Sequence, residues 1–139
     1  MPGGEKQFLI LWSVEIIALD AVGAPASERL RLANRSVSTS GDLYQRLEID
    51  GKRYSHIVDP RTGIGLTDHS QVTVIAERGM VADALSKVVA VLGAEAGFPV
   101  IEESPGVACR VVRAPGGVVE ERRSLRWAQL ADDVLERGR

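Results

Sequence analysis

The chain has 139 residues, of which 45% are hydrophobic and 26% are charged, the length and balance of one globular domain with a modest core. Its net charge of −2 and pI near 5.7 provide no basic field of the kind that holds nucleic acid or an anionic membrane. We therefore predict no nucleic-acid partner. The single cysteine, Cys109, cannot form an internal disulfide, and its apolar surroundings predict a buried strand thiol.

The first twenty residues are predicted to form a strand and not a targeting or membrane segment. Ser13, Glu15 and Asp20 interrupt their apolar run, which stays short of the roughly 18 apolar residues that a membrane helix requires. Apolar positions alternate along this strand: Phe8, Ile10, Trp12, Val14 and Ile16. Because a strand follows so directly on "MPGG", we expect the chain to be the second half of something longer.

The middle of the chain is predicted to be rich in antiparallel strands. A loop at 21–28 precedes two short strand-like pieces, at 29–34 and 35–41, and residues 43–58 read as a hairpin. Asp50-Gly51 marks its turn, because a type I′ turn needs positive φ at both central positions. The apolar run "QVTVIA" predicts another strand.

The second half of the chain adds helices. Apolar residues recur at helical spacing over 80–92, and Gly93 is placed to end that helix. A second helix is predicted at 94–103, a hairpin around a Pro-Gly-Gly turn at 106–124, and an amphipathic helix at 125–139. We thus predict a single α+β domain over residues 1–139, with antiparallel strands and hairpins packed against two to three helices.

The stretch "YSHIVDPRTG", residues 54–63, has two interpretations. Asp59-Pro60 followed by Thr62-Gly63 is a good turn sequence by itself. His56, however, ends a predicted strand close to an aspartate, which is a common way to position a proton acceptor. Loops carried by a rigid sheet are where such groups usually lie.

Two further segments carry polar groups that have structural alternatives. Ser40-Gly41-Asp42 follows a strand and can present N–H groups and a hydroxyl to an anion, although it is also a common turn. Asp83 lies in the first turns of a predicted helix, where the macrodipole favours a carboxylate with or without a metal. Asp83 and Lys87 are spaced i, i+4, which is typical of a helix-face salt bridge.

The order and spacing of these three segments resemble the carboxyl-terminal half of the FAD:protein FMN transferases, the ApbE-like family. The resemblance runs from about residue 37 to 112 and is densest through "EIDGKRYSHIVDPRTG". It implies half of the flavin-transferase fold. It also implies FAD as substrate, Mg²⁺ as cofactor, and transfer of FMN to a threonine or serine hydroxyl of an acceptor protein, with release of AMP.

Site residues carried over from the family fall on the same three segments. His56 matches the active-site histidine, and with Asp59 it forms the predicted catalytic pair. The predicted metal ligand is Asp83. The predicted cofactor-binding residues are Ser40, Gly41 and Asp42 beside the flavin and Arg61, Thr62 and Gly63 in the loop near the pyrophosphate. The side chain of Arg61 could face a phosphate, but it could equally well face solvent. His69 is predicted to be a turn or strand-entry residue, and Trp12 and Trp127 to be core or half-core aromatics.

Two departures from the family bear on activity. Lys87 replaces a threonine whose oxygen also ligates the metal, and an ammonium cannot ligate a hard cation; the positive charge of Lys87 could stand where the metal would sit. The amino-terminal half of the family has no counterpart here. We therefore expect a fragment, a split protein or a degenerate relative, with exposed sheet edges that favour self-association or a partner carrying the missing half.

Three functions of different classes follow from the resemblance. The first is flavinylation of an acceptor protein, the second is hydrolysis of FAD to FMN and AMP, and the third is a non-catalytic flavin-binding relative or partner subunit. The compartment is not encoded in the chain, but the resemblance implies the bacterial periplasm or a membrane-associated target.

Overall fold

The structure, a computed structural model, describes residues 11–41 and 45–132. The strands in chain order are β1 (Trp12–Ile16), β2 (Glu28–Leu32), β3 (Ser36–Gly41), β4 (Arg46–Ile49), β5 (Lys52–Ser55), β6 (Val58–Asp59), β7 (Ile64–Gly65), β8 (Ser70–Ala76), β9 (Ala108–Arg113) and β10 (Glu120–Arg123). The helices are α1 (Gly79–Glu102) and α2 (Trp127–Ala131), and a 3-10 turn at Pro115–Gly117 joins β9 to β10.

A four-stranded antiparallel sheet forms the middle layer, with the strand order β10-β9-β8-β3. Successive side chains of a strand point to opposite faces, so the two central strands β8 and β9 supply cores on both sides of the sheet. Val72 and Val74 pack toward α1, whereas Ile75 and Ala108 pack with Trp127 of α2 and with the β1-β2 hairpin. The predicted α+β class with antiparallel sheets and helices is confirmed.

Three small antiparallel pairs surround this sheet, namely β1-β2, β4-β5 and β6-β7. The turn between β4 and β5 has φ of 50° at Asp50 and 74° at Gly51, as the type I′ prediction requires. The β6-β7 pair closes the loop that contains Asp59. The predicted hairpin is therefore present, and its last strand leads directly into His56.

Helix α1 breaks where the sequence predicts. Gly93 has φ 78° and ψ 167°, a conformation that is essentially restricted to glycine, and it separates two helical segments. By length and composition alone α1 could cross a membrane, but one face of it, including Ala82, Val89 and Ile101, is buried in the core that α1 forms with the sheet.

Within the described residues, the carboxyl-terminal helix α2 covers only part of the predicted range 125–139. It ends at Ala131, and Asp132 leaves the helical conformation, with φ −131° and ψ 77°, to form a bridge with Arg31 of the β1-β2 hairpin. The helical conformation is thus interrupted at Asp132; residues 133–139 lie outside the described residues.

The two tryptophans differ in burial, and the cysteine lies inside the sheet. Trp127 is buried as predicted, but Trp12 is 67% exposed, because it begins an outer strand. Cys109 is the predicted buried strand thiol, and burial raises its pKa to about 12. Phe8 and Ile10 lie outside the described residues.

Replacing Gly93 by alanine should destabilise the fold. A Cβ at its φ and ψ is strained, and we expect a loss of about 1–3 kcal/mol in the free energy of unfolding, measured by urea denaturation. The matched control is Gly79→Ala at the start of the same helix, where a Cβ would meet only Ser36 at ordinary distances. Equal stabilities of the two variants would contradict the assignment of the helix break to Gly93.

Candidate functional site

A cleft of about 410 Å³ lies beside β3 at one edge of the central sheet. Its walls come from β3, the first turns of α1, the start of β8 and the β1 region. Four of the predicted site residues line it, namely Ser40, Gly41, His56 and Asp83. Residues from three segments that are distant in sequence therefore meet in one place.

The alternating serines of β3 hold this strand against α1. Ser38 Oγ donates to Asp83 Oδ1 at 3.4 Å, and Ser40 Oγ lies 2.6 Å from Ser86 Oγ. Ser86 donates its own proton to the Asp83 carbonyl at 2.8 Å, so Ser40 is the donor to Ser86. The hydroxyl of Ser40 is thus used to join strand and helix.

Gly41 is required by the close approach of β3 to β8. A Cβ built at Gly41 would lie 2.8 Å from the backbone oxygen of Ser70, closer than real Cβ atoms come. Gly41 and Gln71 are partners in the antiparallel register. Glycine therefore allows β3 to pair closely with β8 at the point where both strands line the cleft.

His56 follows β5 directly, and its ring is oriented by one carbonyl group. Its backbone N–H donates to Gln45 O at 3.2 Å, and its Nδ1 lies 3.1 Å from the same oxygen. A carbonyl oxygen only accepts, so Nδ1 carries the proton, and in the neutral ring Nε2 has the lone pair. The arrangement leaves Nε2 suited to accept a proton.

The predicted loop residues Asp59, Arg61, Thr62 and Gly63 form a compact turn that does not line the cleft. Asp59 Oδ1 accepts the backbone N–H of Arg61 at 2.9 Å, and the guanidinium of Arg61 binds the same carboxylate, with Nη2 at 2.7 Å from Oδ2. The hydrogen bonds from Arg61 hold the pKa of Asp59 below its usual value. Gly63 takes the left-handed conformation, φ 70°, and Thr62 Oγ1 accepts the Ile64 N–H.

The predicted metal ligand Asp83 is already engaged by a cation. Its Oδ1 accepts a short hydrogen bond from Lys87 Nζ, and Lys87 also lines the cleft. The hydrogen bond from Lys87, assisted by its charge and by Ser38, lowers the pKa of Asp83. Across residues 11–41 and 45–132, no group of three His, Cys, Asp or Glu residues is arranged to hold a metal ion. Asp42 lies outside these ranges.

Five polar residues that line the cleft were not among the predicted site residues, namely Glu15, Thr39, Gln45, Ser70 and Gln71. Gln71 is buried and donates from Nε2 to Ile17 O at 2.8 Å. In the sequence, its indication is a long polar side chain at the second position of a mostly apolar strand. His69 enters β8 as predicted, and contacts Arg53 at 2.7 Å.

Comparison with known proteins identifies the family. The ApbE family model matches residues 2–111, which is most of the chain. The chain belongs to the ApbE family. A relative from Treponema pallidum named "FAD:protein FMN transferase" is 36% identical over 121 residues, covering 82% of this chain and 33% of that relative. One from Haemophilus influenzae, of the same name, is 32% identical over 115 residues, covering 81% and 33%.

Solved structures of the family have the same fold over the matched part. The flavinyl transferase ApbE of Pseudomonas stutzeri in its apo form matches with a TM-score of 0.67 and 35% identity, covering 86% of this chain and 36% of that one. The ApbE protein of Thermotoga maritima matches with a TM-score of 0.68 and 32% identity, covering 87% and 38%. The chain thus spans about a third of the length of the curated relatives.

Removing the Ser86 hydroxyl should weaken the junction of β3 and α1. In Ser86→Ala the buried hydroxyl of Ser40 loses its partner, and we expect a loss of about 1–3 kcal/mol in the free energy of unfolding. Ser13→Ala, at an exposed position of β1, is the control and should change stability by less than about 0.5 kcal/mol. Chemical denaturation measures the free energy of unfolding of both variants. An unchanged value in Ser86→Ala would contradict the role of Ser86 in joining β3 to α1.

Removing the Arg61 guanidinium should raise the pKa of Asp59. Arg61→Gln deletes the charged hydrogen bonds that favour the carboxylate, so the titration midpoint should move up toward the ordinary value of 3.8. A carboxyl carbon resonance followed by NMR against pH reports it. Arg29→Gln, at an exposed position of β2, should leave the midpoint where it is; an equal shift in both variants would rule out the local cause.

Proposed function

We propose that this chain contributes to the transfer of FMN from FAD to a threonine or serine hydroxyl of an acceptor protein, with release of AMP. The observation that carries the proposal is the cleft in which His56, the Ser40-Gly41 backbone and the Asp83-Lys87 pair meet. Membership of the ApbE family and relatives named "FAD:protein FMN transferase" support it. Because the chain spans about a third of those relatives, the activity of the whole protein is part of the proposal.

The reaction forms one phosphorus–oxygen bond and breaks another. The acceptor hydroxyl attacks the phosphorus of the FMN half, and the bond from that phosphorus to the bridging oxygen breaks, so AMP leaves with the bridging oxygen. His56 Nε2 is the proposed acceptor of the hydroxyl proton, since its Nδ1 is held protonated by Gln45 O. Such general base catalysis is typically worth 10²–10⁴-fold in rate.

Positioning and charge neutralisation are the other requirements of phosphoryl transfer. The charged side chains among the described residues that line the cleft are one ammonium, Lys87, and two carboxylates, Glu15 and Asp83. The ammonium of Lys87 is therefore the group placed to stabilise phosphate charge. Gly41 also lines the cleft, and the close approach of β8 excludes a side chain there.

Magnesium remains a prediction of the resemblance, and the described residues fit it poorly. Mg²⁺ binds through oxygen ligands at near-octahedral geometry, whereas the Asp83 carboxylate is bonded to Lys87 and to Ser38. The proposed steps therefore do not depend on a metal ion held by these residues.

Other expectations from the resemblance stay predictions. The site would be completed by residues that follow cleft-lining residues in the sequence. These are Asp42 at the flavin, and Asp59, Arg61, Thr62 and Gly63 near the pyrophosphate. A membrane-associated acceptor, a periplasmic location, and self-association or a partner carrying further family segments are proposed on the same basis.

The test is the intact mass of an acceptor domain bearing a target threonine after incubation with this chain, FAD and Mg²⁺. We expect a mass gain of one FMN, and His56→Ala should lower its rate about 10²–10⁴-fold, because the proton acceptor is lost. His69→Ala is the matched control, since the other histidine lies outside the cleft lining; its rate should stay near that of the unchanged chain.

Three results would contradict the proposal in different ways. An unmodified acceptor with release of FMN and AMP would identify a hydrolase. Retention of FAD without turnover would identify a flavin-binding relative or subunit. Equal rates for His56→Ala and the unchanged chain would remove His56 from the chemistry.

A further inference from the structure

We propose that Lys87 takes the place of a divalent cation in this cleft, so that the chain binds the diphosphate of FAD without requiring Mg²⁺. The inference rests on the proposed function for the identity of the ligand. It concerns how the negative charge of that ligand is neutralised, for which the family resemblance implies Mg²⁺ and the residues of this cleft offer Lys87 instead.

The position of the ammonium is the first observation. Lys87 lies one helical turn after Asp83 on α1, both side chains line the cleft, and Nζ donates to Asp83 Oδ1. Ser38 donates to the same oxygen at 3.4 Å. One oxygen of the Asp83 carboxylate thus has two hydrogen-bond donors already, and one of them is an ammonium.

Electrostatic repulsion prevents Lys87 and a divalent cation from binding the Asp83 carboxylate at the same time. Two cations sharing one carboxylate oxygen repel each other, and a bound metal would have to displace the ammonium from Asp83. An ammonium has no lone pair when charged, so Lys87 cannot become a ligand in exchange. The described residues supply no group of three His, Cys, Asp or Glu side chains around Asp83 that could offset this loss.

The ion pair is also able to open toward a ligand. The side chains of Lys87 and Asp83 are 46% and 60% exposed, and such surface pairs contribute little to stability because water and salt screen them. Lysine is a flexible, compact point charge that commonly binds phosphates. When a diphosphate enters the cleft, Lys87 can move from Asp83 to a phosphate oxygen at little cost in stability, while Asp83 keeps its hydrogen bond from Ser38.

The first experiment measures the Kd of FAD by quenching of flavin fluorescence, in EDTA and in Mg²⁺. We expect the two values to agree within about threefold. Lys87→Met, which keeps the aliphatic chain and removes the charge, should weaken binding in EDTA at least about tenfold. Lys52→Met is the matched control, because Lys52 lies in the β4-β5 hairpin outside the cleft lining; its Kd should not change.

Two outcomes of this experiment would overturn the inference while leaving the proposed function intact. One is FAD binding that strengthens at least about tenfold on addition of Mg²⁺. The other is an unchanged Kd in Lys87→Met. Conversely, metal-independent binding through Lys87 in a chain that fails to flavinylate any acceptor would support the inference and contradict the proposed function.

A second measurement needs no flavin and decides the inference if FAD does not bind at all. Mn²⁺ is titrated into the chain and the free ion is followed by electron paramagnetic resonance. The unchanged chain should leave Mn²⁺ free, whereas Lys87→Thr, which frees Asp83 and adds a hydroxyl oxygen, should bind it. Mn²⁺ binding by the unchanged chain that is as tight as in Lys87→Thr and is lost in Asp83→Asn would overturn the inference.

Discussion

The antiparallel pairing of β3 with β8 is the constraint on which the rest of the site depends. Its register runs from Ser36 opposite Ala76 to Gly41 opposite Gln71, and a shift by one residue would turn every side chain of β3 to the other face. In this register Ser38 and Ser40 meet α1. The apolar face of β8 then fixes the helix, and the helix fixes Asp83 and Lys87 beside the strand.

Helix α1 packs on the sheet through one face and carries polar side chains to the cleft in its first turns. Its apolar face forms a core with β8 and β9, which keeps it rigid on the sheet. Its first turns carry Asp83, Ser86 and Lys87, of which Ser86 is buried and the other two are exposed at the cleft. The break at Gly93 falls after these turns, so the change of helix direction does not disturb the polar side chains.

Charge balance distinguishes this cleft from a preformed metal site. Asp83 is neutralised within the chain by Lys87, and the loop carboxylate of Asp59 is likewise neutralised by Arg61. Each acidic side chain that the family resemblance assigns to the site, within the described residues, therefore already has a basic partner. A phosphate ligand can compete for these cations, whereas a metal ion would have to displace them.

Local patterns in the sequence determined the hairpin turn at Asp50-Gly51, the helix break at Gly93 and the buried thiol of Cys109, because each depends on neighbouring residues or on one apolar run. Motif order indicated the family and placed His56, Ser40, Gly41 and Asp83 among the site candidates. Tertiary structure alone decided that these four share one cleft while the loop around Asp59 stands apart, and that Gln71, Thr39 and Glu15 join them. It also ended α2 at Ala131 and left Trp12 exposed. These features depend on which strand lies beside which, and the spacing of residues along a chain does not contain that information.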